Sequence, residues 1–139
     1  MIDYLDASVV VSVILNERSS TKVAAIIDHS EAGIHVSQFG IAETSSAISR
    51  LFRMKERSRE LADRLLVDLD RWVEATADLS EILCEDFVRA TELVRDLDLK
   101  LRAPDALHLA VAERLGARRI TLDANLHAAD IAVGVRSDN

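Results

Sequence analysis

The chain has 139 residues, of which 49% are hydrophobic and 29% charged, with a formal net charge of −7 and one cysteine, Cys84. This length supports one hydrophobic core, so we predict a single domain over residues 1–139. The acidic balance argues against a protein that coats nucleic acid through its overall charge, and one cysteine excludes both an internal disulfide and a cysteine-rich zinc site.

Short apolar runs alternate along the chain with longer segments of helical period. This pattern is typical of β-α-β units, in which helices cover a parallel sheet, so we predict an α/β fold. The predicted strands are Ile2 to Leu5, Ile34 to Val36, Ala75 to Ala77, Arg119 to Leu122 and Ala132 to Val135.

The apolar run Val9 to Leu15 follows the first predicted strand. Asp3 and Asp6 precede it where a signal peptide would carry basic residues, and no apolar span of 18 residues occurs in the sequence. The sequence therefore predicts no membrane contact. The lone cysteine suits a reducing cytoplasm, and we expect Cys84 to be a small buried residue.

Three segments predict helices with buried faces. Asp105 to Leu115 is apolar nearly all round, which indicates a helix deep in the fold, and Pro104 suits its first position. Ser37 and Asp78 are the predicted starts of two other helices. Two apolar stripes of helical spacing are Leu61, Leu65, Leu69, Trp72 and Val73, and Leu83, Phe87, Ala90, Val94 and Leu97.

A locally basic stretch runs from Ser49 to Arg64. It carries six basic residues against three acidic ones in an otherwise acidic chain. A polyanion could approach along this stretch, although a solvated helix-loop-helix surface explains the same composition.

Four acidic residues occupy positions that a parallel sheet would bring towards one edge. Asp6 directly follows the first predicted strand and Asp123 the fourth, and ligands bind at the carboxyl ends of such strands. Asp105 opens the buried helix, and Glu43 lies about two turns into the helix after the second strand. How these last two reach the same edge depends on the tertiary fold.

Converging carboxylates predict a divalent cation. At separations near 4 Å each close pair would repel by roughly 4 kcal/mol at an effective dielectric constant near 20. Oxygen ligands without a Cys/His set favour Mg²⁺ or Mn²⁺ over zinc. Nearby Ser8, Thr121 and Asn125 are suited to orient carboxylates or water, and His108 lies one turn after Asp105.

Each acid also has a simpler explanation. Asp6 and Asp123 could cap the helices that follow them, and Asp105 could interact favourably with the dipole of its helix. Each interaction would stabilise the fold by roughly 0.3 to 2 kcal/mol. Glu43 could be an ordinary surface residue, and His108 a hydrogen-bonded core residue.

At these residues the sequence resembles the PIN-domain nucleases, and most closely the VapC-type toxins of toxin-antitoxin pairs. The resemblance covers essentially the whole chain, and its markers are Tyr4 to Ser8, the helix of Glu43, Pro104 to Ala110 and Thr121 to Asp123. It implies a three-layer α/β/α sandwich with a central parallel sheet and a Mg²⁺- or Mn²⁺-dependent endoribonuclease. Asp6 and Asp105 would hold the metal, and Glu43 and Asp123 would complete the catalytic pocket.

The resemblance also implies partners: an RNA substrate, a cognate antitoxin protein and a second copy of the chain in a homodimer. The alternative is a PIN-like subunit that binds a partner without cutting. Other classes fit less well, because a haloacid-dehalogenase phosphatase needs an acid at Ser8, and a receiver domain needs a lysine after Lys100. A nucleotide-binding module needs a glycine-rich phosphate loop, which the isolated glycines do not form.

Overall fold

The computed structural model describes residues 1–18 and 20–138. Within them, five strands form one sheet: β1 Asp3–Leu5, β2 Ile34–Ser37, β3 Ala77–Ser80, β4 Arg118–Ile120 and β5 Ser137–Asp138. Their order is β3-β2-β1-β4-β5, and every neighbouring pair is parallel.

Helices connect the strands. They are α1 Ala7–Ile14, α2 Ser20–Asp28, α3 Gln38–Arg53, α4 Arg59–Thr76, α5 Cys84–Arg95, α6 Ala103–Leu115 and α7 Ala124–Ala132, with a short 3-10 helix at Leu97–Leu99. No helix in the described part of the chain is both long enough and apolar enough to span a membrane.

Helices cover both faces of the sheet, and successive side chains of a strand point to opposite faces. Leu5 of β1 faces a core built with α1 to α4, which includes Val9, Ile48 and Leu69. Tyr4 faces a second core built with α5, α6 and α7. These two helical layers on one parallel sheet confirm the predicted α/β/α sandwich.

The central strand β1 lies where the strand order changes direction. Asp3 pairs with Ile34 of β2 on one side and with Arg118 of β4 on the other. Chain connections after β1 run first to β2 and β3, and later cross to β4 and β5. A crevice outside the carboxyl ends of β1 and β4 is therefore the expected ligand site of this topology.

Two predicted helix starts are confirmed by their local chemistry. Ser37 caps α3, where its hydroxyl oxygen accepts a hydrogen bond of 3.0 Å from the backbone N–H of Gly40. Pro104 lies in the first turn of α6, where no N–H is needed. All residues from Ala106 to Ala112 are buried, as the apolar composition of this segment predicted.

The predictions around α5 are partly wrong. Asp78 lies in β3 and starts no helix; α5 begins at Cys84, and the carboxylate of Asp86 accepts a hydrogen bond of 2.8 Å from the N–H of Leu83. Cys84 is exposed, not buried. Phe87, which belongs to the predicted apolar stripe, is 57% exposed and lines an open groove.

Two predicted strands are displaced. The third strand is Ala77–Ser80 because α4 continues through Thr76. The segment Ala132 to Val135 is not a strand, since α7 ends at Ala132 and Gly134, with a φ of +82°, turns the chain into β5.

Candidate active site

Asp6 lies at the carboxyl end of β1 and is almost fully buried, with 2% of its surface exposed. It caps α1, since its Oδ1 accepts hydrogen bonds from the N–H of Val9 at 3.3 Å and the hydroxyl of Ser8 at 2.5 Å. Its Oδ2 accepts a hydrogen bond of 3.3 Å from Nη2 of Arg119. The capping explanation for Asp6 is therefore correct, but it leaves a buried carboxylate next to a buried cation.

Arg119, in the middle of β4, is completely buried. Besides Asp6, its guanidinium donates to Oδ1 of Asp130 on α7 at 3.0 Å. It also reaches the main-chain carbonyl oxygen of Asp105 at 3.5 Å. One guanidinium thus joins the carboxyl end of β1 to the first turn of α6.

The Asp105 side chain is mostly buried, with 17% of its surface exposed. Its Oδ2 accepts a hydrogen bond of 3.2 Å from Nε of Arg102, which is itself highly exposed. Asp6 and Asp105, which lie about a hundred residues apart in the chain, are thus both neighbours of positive groups at the same edge of the sheet.

Glu43 of α3 reaches α6 through His108. Its carboxylate makes a close contact with Nε2 of His108, which is 3% exposed. On the other side of the ring, Nδ1 hydrogen-bonds the Tyr4 hydroxyl at 2.5 Å, and this hydroxyl donates to Ser37 at 3.0 Å. His108 is therefore both a core residue and a direct partner of a predicted site residue.

Asp123 follows β4 and lies at the start of α7. Its Oδ1 accepts a hydrogen bond of 3.1 Å from the N–H of Leu126, and its own N–H donates to Thr121 at 3.2 Å. The neighbouring N–H of Leu122 donates to Ser8 at 3.2 Å, and Ser8 in turn bonds Asp6.

Asp123 is thus connected to Asp6 through the Ser8 hydroxyl while its carboxylate caps a helix. Asn125 was predicted to orient this region, but its side chain lies outside the described part of the structure.

The donor chemistry of this edge fits a hard dication held by few protein ligands. Among residues 1–18 and 20–138, no group of three or more His, Cys, Asp or Glu side chains is placed to hold a metal ion. Mg²⁺ in phosphate-processing sites is usually bound by one or two carboxylates and keeps several waters. Asp6 and Asp105 supply oxygens of this kind, and a dication would compete with Arg119 and Arg102 for them.

A groove of about 720 Å³ is lined by Glu43, Arg50 and Arg102, the residue whose Nε donates to Asp105, among others. Arg50 belongs to the basic stretch, which forms the end of α3, a loop and the start of α4, as predicted. Other bases of the stretch have local partners: Arg53 donates to Ser49 at 2.6 Å, and Arg59 lies 4.9 Å from the centre of the Phe52 ring. The groove therefore combines two acidic side chains, Glu43 and Glu56, with two basic ones, Arg50 and Arg102.

Burial raises the pKa of the Tyr4 hydroxyl well above its ordinary value of 10.0, chiefly through loss of hydration. Burial likewise raises the pKa of Asp130 above its ordinary value, although Arg119 acts in the opposite direction. Tyr4 therefore remains a neutral hydroxyl beside His108 throughout the ordinary pH range.

Sequence reasoning missed Tyr4, Arg119 and Asp130. A basic residue in a short strand predicts an exposed position, so nothing local indicated that Arg119 is buried. Its partner Asp130 is 11 residues further along the chain, on a different element. Only the tertiary fold brings the two together.

Residues 4–132 match the family model of the PIN domain. The chain belongs to the PIN domain family. The resemblance drawn from the sequence is thereby confirmed.

Solved structures of low sequence identity share this PIN fold. VapBC2 from Rickettsia felis, bound to a DNA fragment of its promoter, has a TM-score of 0.70 and 17% identity, covering 100% of this chain and 98% of that chain. VapC20 from Mycobacterium tuberculosis, a toxin that cleaves the sarcin-ricin loop, has a TM-score of 0.71 and 17% identity, covering 91% and 94%. VapBC-1 from nontypeable Haemophilus influenzae has a TM-score of 0.72 and 12% identity, covering 100% and 98%.

At these identities the likeness establishes the fold alone. A comparison with curated protein sequences gave no significant match.

Proposed function

We propose that this PIN domain is a Mg²⁺- or Mn²⁺-dependent endoribonuclease and the toxin of a toxin-antitoxin pair. The observation that carries the proposal is the placement of Asp6 and the first turn of α6, with Asp105, against one guanidinium at the carboxyl edge of the sheet. Family membership supports it, and so does the structural likeness to a toxin that cleaves the sarcin-ricin loop.

In this proposal Asp6 and Asp105 hold the dication, and Glu43 and Asp123 lie at the margin of the pocket. A bound Mg²⁺ or Mn²⁺ would supply polarisation of the phosphoryl oxygen and activation of a water for hydrolysis. Ser8 fixes the rotamer of Asp6 through its 2.5 Å hydrogen bond, and His108 fixes Glu43. The residues thereby present oxygen atoms in set positions, and the reaction needs no side-chain nucleophile.

The basic side chains of the groove would bind the substrate. Arg50 and Arg102 line the same groove as Glu43, so phosphates of an RNA strand lying there would be paired with positive charge near the acidic edge. This local charge offsets the repulsion between RNA and a chain of net charge −7.

The direct test is RNA cleavage by the purified protein. A panel of structured RNAs is incubated with Mg²⁺, with Mn²⁺ or with a chelator. We expect cleavage with either metal, none with the chelator, and none by Asp105→Asn. Asp68→Asn, which makes the same charge change on an exposed face of α4, is the control and should cleave normally.

Metal-independent cleavage, or full activity of Asp105→Asn, would contradict the proposed site. If the folded wild-type protein cleaves none of the RNAs with either metal, the non-catalytic alternative is favoured.

The proposed partners are a cognate antitoxin and a second copy of the chain. Several structural neighbours are complexes of such pairs, including VapBC2 and VapBC-1. We expect expression of the protein in the cytoplasm of a bacterial host to arrest growth, and expression of Asp105→Asn to be tolerated. Co-expression with its cognate antitoxin should restore growth, and sedimentation should give the mass of a dimer.

A further inference from the structure

Two buried acids share a single buried cation behind the proposed site. Arg119 and Asp130 have no exposed surface, and Asp6 is 2% exposed. The guanidinium donates to Asp130 at 3.0 Å and to Asp6 at 3.3 Å, so Asp130 has the shorter contact. Asp130 is fixed in turn by Ser137, whose hydroxyl donates to its second oxygen at 2.8 Å.

The hydrogen bonding of Arg119 is incomplete for a purely structural anchor. Within the described residues, its Nε is a buried nitrogen with no hydrogen-bond partner. Leaving such a donor unpaired costs free energy, roughly 1 to 3 kcal/mol. The orientation of the guanidinium is therefore determined by its two carboxylate partners, and not by a full set of hydrogen bonds from all of its N–H groups.

The position of Asp130 relative to Asp6 matters because both draw on the same positive charge. Two carboxylates against one guanidinium leave a formal excess of one negative charge in a dry environment. Burial raises the pKa of Asp130, which shows that keeping this carboxylate ionised there is costly. Asp130 is not among the described residues that line the groove of Glu43; its hydrogen bonds are with Arg119 and Ser137.

We propose that Asp130 is a positioning residue of the acidic site. By pairing with the guanidinium of Arg119 it weakens the Arg119-Asp6 ion pair, so that Asp6 remains available to a divalent cation. The inference rests on the proposed function, because it takes Asp6 to be a metal ligand. It adds a pair of residues, Arg119 and Asp130, that control how readily the metal binds.

Removing the carboxylate of Asp130 should weaken the binding of a dication at Asp6. In Asp130→Asn, Asp6 would be the one remaining charged partner of the guanidinium among the residues that the structure describes, and the Arg119-Asp6 ion pair would strengthen. A dication would then have to displace a more tightly held guanidinium. Loss of a residue that orients a metal ligand typically costs about tenfold to a hundredfold in metal affinity.

The experiment is a calorimetric titration of the full-length protein with Mn²⁺, together with the Mn²⁺ dependence of RNA cleavage. We expect the Kd for Mn²⁺ to rise about tenfold in Asp130→Asn. Turnover at saturating Mn²⁺ should stay close to the wild-type value, because the loaded site is the same. A structural defect alone would lower turnover and leave the metal requirement unchanged.

Asp86→Asn is the matched control. Asp86 is also buried and accepts two hydrogen bonds from Arg114, at 2.8 and 3.0 Å, but this pair links α5 to the far end of α6. We expect its Kd for Mn²⁺ to equal that of the wild type. Should Asp130→Asn fail to fold, Asp130→Ser, which also removes the charge, is measured and judged in the same way.

Two results would overturn the inference alone: wild-type Mn²⁺ affinity in the Asp130 variant, or an equal loss of affinity in Asp86→Asn. Absence of any Mn²⁺ binding by the wild-type protein would overturn the proposed function as well. The failures of the two proposals are therefore distinguishable.

Discussion

Tyr4 connects the core of the protein to its proposed site. The side chain is fully buried in β1, and its hydroxyl lies between Ser37, the cap of α3, and His108 on α6. His108 then contacts Glu43. A single hydroxyl therefore holds together two helix positions on which the orientation of Glu43 depends.

Removing that hydroxyl should destabilise the protein. In Tyr4→Phe, the buried polar atoms of Ser37 and His108 each lose a partner, so we expect the free energy of unfolding to fall by about 1 to 3 kcal/mol. Urea denaturation measures this change. Thr91→Val removes an exposed hydroxyl that donates to the carbonyl oxygen of Phe87 in the same helix, and should change the free energy by less than about 0.5 kcal/mol. Equal effects of the two substitutions would contradict the network.

Tyr4 also gives a direct optical test, because it is the only tyrosine in the chain. Burial raises its pKa above the ordinary value of 10.0. The native protein should therefore keep the phenol proton at pH values where the urea-unfolded chain shows tyrosinate absorbance. Tyrosinate formation near pH 10 in the folded protein would show that Tyr4 is hydrated.

The same shift predicts a loss of stability at alkaline pH. Below pH 10 the folded and unfolded chains both carry the phenol proton, so Tyr4 adds no pH dependence. Above it the unfolded chain releases the proton and the folded chain keeps it, which favours unfolding by about 1.4 kcal/mol per pH unit. Urea denaturation at several pH values should show this slope in the wild type and its absence in Tyr4→Phe.

At the scale of elements, α3 and the start of α6 carry the proposed RNA contact, through Arg50 and Arg102. Arg50→Gln should raise the KM for RNA about twofold to fivefold, since a surface charge contact is worth roughly 0.4 to 1 kcal/mol. The slope of log KM against log salt should fall by about 0.7 to 1, and kcat should not change. Arg71→Gln, on an exposed face of α4, is the control for net charge. Equal effects of both variants would mean that overall charge, not the groove, attracts RNA.

The sequence predicted those elements whose local signals agree with their tertiary setting. For α6, uniform apolarity and Pro104 indicated the same buried helix that the structure contains. Around α5 the local signals were misleading, because Asp78 resembles a helix cap but pairs within the sheet. The true start at Cys84 depends on Asp86, whose carboxylate lies within the helix and accepts a hydrogen bond from the N–H of the preceding residue, Leu83.

In the candidate site, too, some residues were predictable from the sequence and others were not. Asp6 and Asp123 were predictable at the sheet edge, because position after a strand places a residue there irrespective of long-range contacts. The partners that hold the acids were not, since Arg119 contacts Asp6 across 113 positions and His108 contacts Glu43 across 65. Pairings of this range depend on how helices dock on the sheet, which hydrophobic periodicity does not specify.

For the whole molecule, metal binding and stability should be linked. A dication that binds only the folded state raises the free energy of unfolding by about 2.7 kcal/mol at a hundred times its Kd. We therefore expect Mn²⁺ to raise the Tm of the wild-type protein, measured by calorimetry, and to raise that of Asp6→Asn much less. NaCl at equal ionic strength serves as a control for general screening by salt. A Tm that does not respond to millimolar Mn²⁺ would favour the explanation of Asp6 as a helix cap alone.

The most direct measurement of the central claim is the anomalous diffraction of a crystal of this protein grown with Mn²⁺. We predict a strong peak at the carboxyl edge of the sheet, in contact with carboxylate oxygens of both Asp6 and Asp105 and absent from crystals of Asp105→Asn. A well-ordered crystal with no peak there, or with manganese bound only at other acids, would contradict the account.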